Sequence, residues 1–277
     1  MRTESTDLLD ETMSALRKPL YLRCGPGLWV DLDGPALRIR RPARAVVLYP
    51  LARLARVVSS GAVAWDCEAL LACAGAGIPV VFLRRNGAVR AYLFGSKARS
   101  ADPYDPFYTR LRARLLQPGG ITHYQIWYDN MICAAVRVLG VQLGQRLDSY
   151  APHRLRQALA ETRGRYIGPG PAALIECRLR GLLAGLSAEL LAETGLDAAR
   201  WMRLEFAFDL VADLAGLLGW SLEAPILTAL AARFRGDPEA PDLVEEPKLI
   251  RLFEKHTADL RRLGLDALYQ LRQWLET

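Results

Sequence analysis

The hydrophobic period of this chain changes once, near residue 95, and this change constrains the fold more than any other feature. Between residues 19 and 94, short apolar segments alternate with Gly, Pro and Asn turns, which is typical of closely spaced strands. After about residue 107, Leu, Ala and Arg recur every three or four positions, which predicts helices. The sequence therefore predicts an α+β protein with a small N-terminal β-rich domain followed by a larger all-α C-terminal domain.

The same pattern divides the chain into four parts. Residues 1–18 form a polar leader, 19–95 the β-rich dimerisation domain, 96–106 a linker with two Asp-Pro pairs, and 107–277 the helical domain. One helix is expected inside the β domain, from Cys67 to Ala76, with Asp66 as its cap. The predicted helices of the second domain are 108–116, 125–147, 153–166, 174–193, 203–218, 222–234 and 248–275.

Charge is placed unevenly along the chain. The net charge is +6, and residues 1–100 hold 15 Lys and Arg against 8 Asp and Glu, whereas the remainder holds 21 against 22. Arginine dominates, and its planar guanidinium suits phosphate groups, although a GC-rich genome also favours Arg and Ala. Charge alone makes nucleic acid one candidate partner among others.

The N-terminal residues and the cysteines do not indicate an exported protein. Acidic residues, Glu4, Asp7, Asp10 and Glu11, occupy the region where a signal peptide is basic and then apolar. Gly and Pro interrupt the most apolar run, Ala69 to Leu83, so no membrane span is expected. The five cysteines are scattered without metal-binding spacing and are interpreted as small buried hydrophobes. We expect a cytoplasmic protein.

The order of elements between Leu20 and Phe94 resembles the N-terminal domain of the CRISPR-associated integrase family. The matching pieces include Gly27-Leu28-Trp29-Val30, Tyr49-Pro50-Leu51, Gly61-Ala62-Val63-Ala64-Trp65 and Gly77-Ile78-Pro79-Val80-Val81-Phe82-Leu83. Thinner matches follow in the helical half at Arg156-Gln157-Ala158-Leu159-Ala160-Glu161, Gly195-Leu196-Asp197 and Leu204-Glu205-Phe206-Ala207-Phe208-Asp209-Leu210. The resemblance implies a homodimer that associates with the small Cas adaptor protein and uses Mg²⁺ or Mn²⁺ to cleave DNA and to join spacer DNA into repeat arrays.

Carboxylates are the ligands that such a metal prefers, and a set of them lies near residue 209. Glu205, Asp209 and Asp213 are spaced by four on one helical stripe, where their charges repel unless a cation lies between them. Spacing alone favours an acidic, solvated face with local ion pairs over a metal site. The resemblance makes Asp209 the foremost ligand candidate, with Asp213 and Glu161 completing the set and Glu176 as an alternative to Glu161.

Two departures from the family pattern put catalysis in doubt. No His lies between residues 198 and 208, where the family has its histidine ligand, and Ala212 stands where the family has its second acid. His123, His153 and His256 are interpreted as surface or packing residues. Three hypotheses follow: an active or weakly active metal-dependent integrase and endonuclease, a degenerate paralogue that acts as a structural or DNA-scaffolding subunit, and an unrelated α+β protein.

Arginine clusters supply the candidate DNA contacts. A protein that wraps DNA needs many sequence-independent phosphate partners, whereas the alternative for each residue is a solvated face. The residues selected for DNA binding are Arg38, Arg40, Arg41, Arg163, Arg165 and Arg178. We also expect the apolar strands around Val80–Leu83 and 89–94 to have edges that a dimer partner covers.

Overall fold

A computed structural model describes residues 17–95, 106–147, 150–194 and 208–276. Most of the predicted leader and linker, the Gly195-Leu196-Asp197 turn and Glu205 lie outside the described residues. The described parts confirm the predicted α+β class, with strands first and helices after them.

The N-terminal domain contains two four-stranded sheets. Strands β1 (Lys18–Arg23), β5 (Leu54–Ser60), β7 (Val80–Leu83) and β8 (Val89–Leu93) form the first sheet in that order. The second sheet has the order β4 (Val47–Pro50), β3 (Ala36–Arg40), β2 (Trp29–Asp33) and β6 (Ala64–Trp65). Helix α1 (Cys67–Gly75) follows Asp66 as predicted, although the Asp66 side chain makes no capping hydrogen bond.

The first sheet corrects the expectation about strand edges for β7 only, because β8 does lie at the edge of this sheet. β7 lies between β5 and β8, and Val80 and Val81 are fully buried, so this strand is no edge. A continuous apolar run is typical of a strand covered on both faces, and β7 pairs in parallel with β5. The exposed apolar edge lies instead at β4 of the second sheet, where Val47 and Leu48 are 45% and 52% exposed.

The C-terminal domain is helical throughout its described length. Its helices are α2 (Pro106–Leu116), α3 (Gly120–Leu143), α4 (Pro152–Ile167), α5 (Pro169–Glu193), α6 (Leu210–Phe234) and α7 (Glu246–Glu276). The periodicity predicted a break between residues 218 and 222, but α6 runs through it and through Pro225. Trp220, Leu222 and Ile226 are all buried on this stretch, and their packing outweighs the backbone hydrogen bond that Pro225 cannot donate.

Helices α5 and α6 form the centre of the domain. Every residue from Gly181 to Leu191 is buried, and α6 packs against α3, α4, α5 and α7. By length and composition α6 could cross a membrane, but 56% of its most apolar window is buried inside the protein. It is therefore accounted for as the core helix of this domain.

Small residues let the first sheet approach α5 closely. A Cβ at Gly181 would lie 2.5 Å from the carbonyl oxygen of Gly87, in the turn between β7 and β8. A Cβ at Gly185 would lie 3.3 Å from a methyl group of Val58 on β5. The two domains are thus held together by close packing of one sheet on one helix.

Candidate functional site

The two aspartates at the start of α6 hold defined structural positions. Asp209 is the N-cap, and its carboxylate accepts a hydrogen bond from the amide of Ala212 at 3.0 Å. One turn later, the Asp213 carboxylate accepts a hydrogen bond from the Tyr124 hydroxyl at 2.9 Å. Because Asp213 is half-buried, desolvation raises the pKa of its carboxyl above the usual range, while the Tyr124 hydrogen bond opposes this rise and Asp209 adds to it.

Tyrosines from α3 and β8 surround this aspartate pair. The Tyr128 hydroxyl donates to the backbone carbonyl of Asp213 at 3.1 Å. Burial, with a further contribution from the nearby Asp213 charge, raises the pKa of Tyr128 to about 12. Burial and Asp209 likewise raise the pKa of Tyr92 to about 12, so both phenols stay protonated near neutral pH. The pair therefore faces neutral hydrogen-bonding groups.

The upstream carboxylates lie on other elements with partners of their own. Glu161 is exposed on α4 and accepts a hydrogen bond from the Gln157 amide at 3.0 Å. Its alternative, Glu176 on α5, pairs with Arg180 and lies 3.4 Å from Arg163. Glu161 and Glu176 line one open groove between α4 and α5.

These placements do not fit a ready-made metal centre. A divalent ion needs several oxygen ligands converging on one point. Across residues 17–95, 106–147, 150–194 and 208–276, no group of three or more His, Cys, Asp or Glu side chains is placed to hold a metal ion. Glu161, Asp209 and Asp213 all lie within these ranges, so their assignment as ligands stays a prediction that the side-chain geometry does not support.

Arginines dominate a cavity beside the aspartates, which we call the arginine cavity. It has a volume of about 480 Å³ and lies between β8 and helices α3 to α6. Its charged lining residues are Arg156, Arg163, Glu176, Arg180 and Glu223. Arg163 is buried and pairs with both Glu223 and Glu176, so the two carboxylates of the cavity are bound by arginine. Such a lining carries a net positive charge and suits an anion better than a metal ion.

Sequence reasoning missed Tyr124 and Glu223 at this site and did not select Arg156 among the DNA contacts. Arg156 reaches from α4 to the carbonyl of Gly216 on α6 at 2.7 Å, and Tyr124 and Glu223 pair with Asp213 and Arg163 respectively. The spacing of Arg156 and Arg163 by seven residues was a usable signal, because it places both on one face of a helix.

The arginines predicted to contact DNA divide into three groups. On β3, Arg38 forms two hydrogen bonds to Asp31 at 2.9 and 3.0 Å, and Arg40 pairs with the same carboxylate. These guanidiniums hold the pKa of the Asp31 carboxyl below its usual value, the Arg38 hydrogen bond contributing most. Two others contact groups within the protein: Arg163 pairs with glutamates, and Arg178 donates to the Val244 carbonyl at 2.6 Å. The remaining two, Arg41 and Arg165, are exposed.

Solved structures with the same architecture include CAS1 proteins and a casposase. The structure of TM1797, a CAS1 protein from Thermotoga maritima, superimposes with a TM-score of 0.72 at 12% identity, covering 93% of this chain and 97% of that chain. A casposase bound to its integration product gives a TM-score of 0.60 at 12% identity, covering 92% and 91%. A TtCas1–DNA complex gives 0.51 at 15% identity, covering 92% and 97%.

The chain therefore has the Cas1 fold over nearly its whole length. This confirms, for the fold, the resemblance to the CRISPR-associated integrases that the sequence indicated. No protein-family model matches the sequence, and no curated protein matches it. A shared fold at this identity leaves the activity to be argued from the site.

Proposed function

We propose that this protein acts in CRISPR spacer acquisition as a DNA-scaffolding subunit of the Cas1 type, without robust strand transfer of its own. The Cas1 fold and the DNA-bound structures to which the chain is similar support the DNA-binding part. In this role the protein is a homodimer and works beside the small Cas adaptor protein.

One observation carries the scaffolding role: the carboxylates near the fold's acidic helix are already engaged. Asp209 caps a helix, Asp213 accepts from Tyr124, and Glu176 is paired with arginines. These contacts orient the carboxylates toward the helical fold, and among the described residues no third side chain converges with them on a metal position. Loose ligand geometry costs orders of magnitude in rate.

A second candidate function is metal-dependent cleavage and strand transfer using Glu161, Asp209 and Asp213. It is favoured by the position of Asp209 and Asp213 one turn apart on α6, where Mg²⁺ or Mn²⁺ would keep waters in its other positions. The absence of a histidine from residues 198–208 removes the neutral ligand that would fix the ion.

The DNA-binding part is tested by measuring affinity for branched and duplex DNA of unrelated sequences between low and physiological salt. We expect little sequence preference and a steep loss of affinity as salt rises, because arginine–phosphate contacts release counterions. Absence of binding at low salt would contradict every DNA-handling role.

The catalytic part is tested by strand transfer on a branched DNA substrate with Mn²⁺, comparing the native chain with Asp209→Ala and Asp209→Ser. Serine retains a helix cap but offers no carboxylate, whereas alanine loses the cap at a cost of about 1 kcal/mol. We expect weak or no activity in all three proteins. Robust native activity that both substitutions abolish would establish the integrase and refute the scaffolding role.

A further inference from the structure

Helix α3 presents one row of its side chains to solvent, which we call the α3 stripe. The row runs along the helix from Ile126 to Val141, which are 54% and 84% exposed. Its members recur every three or four positions, which places them on one face of a helix. The opposite face, with Tyr124, Ile132 and Val136, is buried in the domain core. The stripe consists of Ile126, Asn130, Cys133, Ala134, Arg137 and Val141, all of them exposed.

The α3 stripe has the same order of residue types when it is followed from either end. Its first and last residues are apolar, a polar residue lies four positions inside each of them, and the two central residues, Cys133 and Ala134, are small. Scattered exposed apolar side chains are ordinary on a protein surface. A row with this symmetry is different, because it matches itself when a second copy of the helix lies antiparallel to it.

A two-fold axis between residues 133 and 134 would bring each member of the stripe opposite its counterpart. Ile126 then packs on the partner's Val141, and Asn130 faces the partner's Arg137. Small residues beside the axis let the two helices approach until their axes are roughly 8–10 Å apart. The paired segment is about 22 Å long, since an α-helix rises about 1.5 Å per residue.

The charges along the stripe are complementary in this arrangement. The Nε of Arg137 donates to the Cys133 carbonyl of its own helix at 3.3 Å. Within the described ranges Arg137 has no ion-pair partner, and neither has the exposed Asp129, which precedes Asn130. A guanidinium that reaches the second helix would therefore meet an amide oxygen and a carboxylate, both of which accept hydrogen bonds from it.

We propose that the α3 stripe is an interface between two copies of this chain, in which their α3 helices pair antiparallel about a two-fold axis between residues 133 and 134. The stripe belongs to the helical domain, whereas the sequence assigned the homodimer to the β domain, so this second contact joins one homodimer to another. It is small, and small interfaces associate weakly. The contact is independent of the DNA-scaffolding role proposed above.

The first test is oxidative cross-linking of the full-length protein, because it detects this contact whether or not the β domains also pair. Ala134→Cys places a thiol opposite the partner's Cys133, within the reach of a disulfide between closely packed helices. Copper-catalysed air oxidation should therefore join two chains, as measured by gel electrophoresis without reductant. The matched control is Gln142→Cys, an exposed position on α3 outside the stripe, which should cross-link no more than the native chain.

The second test exchanges the two polar residues of the stripe and measures association by sedimentation equilibrium up to about 100 µM, where a weak contact is populated. Asn130→Arg places like charges opposite each other and should weaken the association of homodimers about tenfold or more. Adding Arg137→Asn returns one guanidinium and one amide to each pair. The double variant should therefore associate as the native chain does.

Either test can overturn the proposal. Cross-linking of Ala134→Cys that is no greater than that of Gln142→Cys contradicts the antiparallel pairing and leaves the stripe to a different partner. A double variant that associates no better than Asn130→Arg contradicts it as well, because the exchange restores only an interface in which these two residues face each other.

Discussion

Arg56 is the central residue of a buried network of charged side chains. It lies on β5, is 1% exposed, and pairs with Glu189 of α5 and with Glu254 of α7 at 2.8 Å. Its Nη2 also donates to the Tyr21 hydroxyl at 2.9 Å, which joins both domains in one network. Burying a charge is costly unless it is paired, so the Arg56 network is stable only when complete.

Substitution of Arg56 by Met should destabilise the protein by about 3–5 kcal/mol, because Glu189 would be left buried beside a single remaining arginine. Urea unfolding followed by circular dichroism measures this. The control is Arg23→Gln, which breaks a surface pair with Glu246 and should cost less than about 1 kcal/mol. Equal losses of unfolding free energy in the two variants would mean that the buried network stabilises the protein no more than an exposed ion pair does.

Asp213 should give stability a measurable pH dependence. Because burial raises the pKa of its carboxyl in the folded state, this group's contribution is fully present below its ordinary pKa and is lost as pH rises through the raised one. Asp213→Asn keeps an acceptor for Tyr124 without the charge. We expect the variant's urea midpoint to exceed that of the native chain at neutral pH, with the difference shrinking toward about pH 4. A difference that is constant across this range would contradict the burial effect.

Helix α5 determines how the two domains fit. Its N-terminal turn is open, whereas its centre is in contact on every side with the first sheet, α6 and α7. Gly181 is required for this approach, since the nearest atoms there belong to the backbone of the β7–β8 turn and to Leu83. Backbone atoms cannot rotate away as a flexible side chain can.

Gly181→Ala should therefore destabilise the protein by roughly 1–3 kcal/mol, because the added methyl group overpacks the interface. Gly75→Ala, at the end of α1 with nothing within 4 Å, should be neutral or stabilising by up to about 1 kcal/mol. Thermal unfolding of both variants measures the contrast. An unchanged Gly181→Ala protein would show that the sheet can shift away from α5.

At the scale of the whole molecule, the described residues include an exposed apolar strand edge that a partner could cover. β4 ends the second sheet, and its exposed Val47 and Leu48 continue from Val46, which is 54% exposed. Exposed apolar edges of this kind promote association between sheets. The sequence placed dimerisation at β7 and β8. Because β7 is internal and the apolar side chains of β4 are the more exposed, we predict that dimerisation uses β4.

We predict that the native chain is a dimer at micromolar concentration and that Val47→Lys shifts it toward monomer. A charged side chain on an edge strand opposes pairing with a second sheet. Sedimentation equilibrium measures the shift. The matched control is Leu71→Lys on α1, a site of similar exposure away from that edge, which should leave the dimer intact. A native monomer, or equal effects of the two lysines, would contradict assignment to β4.

Much of the fold was predictable because each element carries its own pattern. The strands near residues 20, 30, 37 and 47, the tight turn at Asn86-Gly87 and the helices of the second domain follow from local period and turn residues. The predicted break before Pro225 was wrong, since tertiary packing around Trp220 held one helix together where local propensity favours an end.

The sequence by itself determined the fold class, the order of the two domains and the acidic residues of α6, because all three depend on neighbours close in the chain. Only the tertiary structure decided which charges meet. Arg56 lies 133 residues from Glu189, and Arg163 lies 60 residues from Glu223, so no local spacing could show that they pair. The same long-range packing brought the Tyr124 hydroxyl to the Asp213 carboxylate, and it gathered scattered arginines around one cavity.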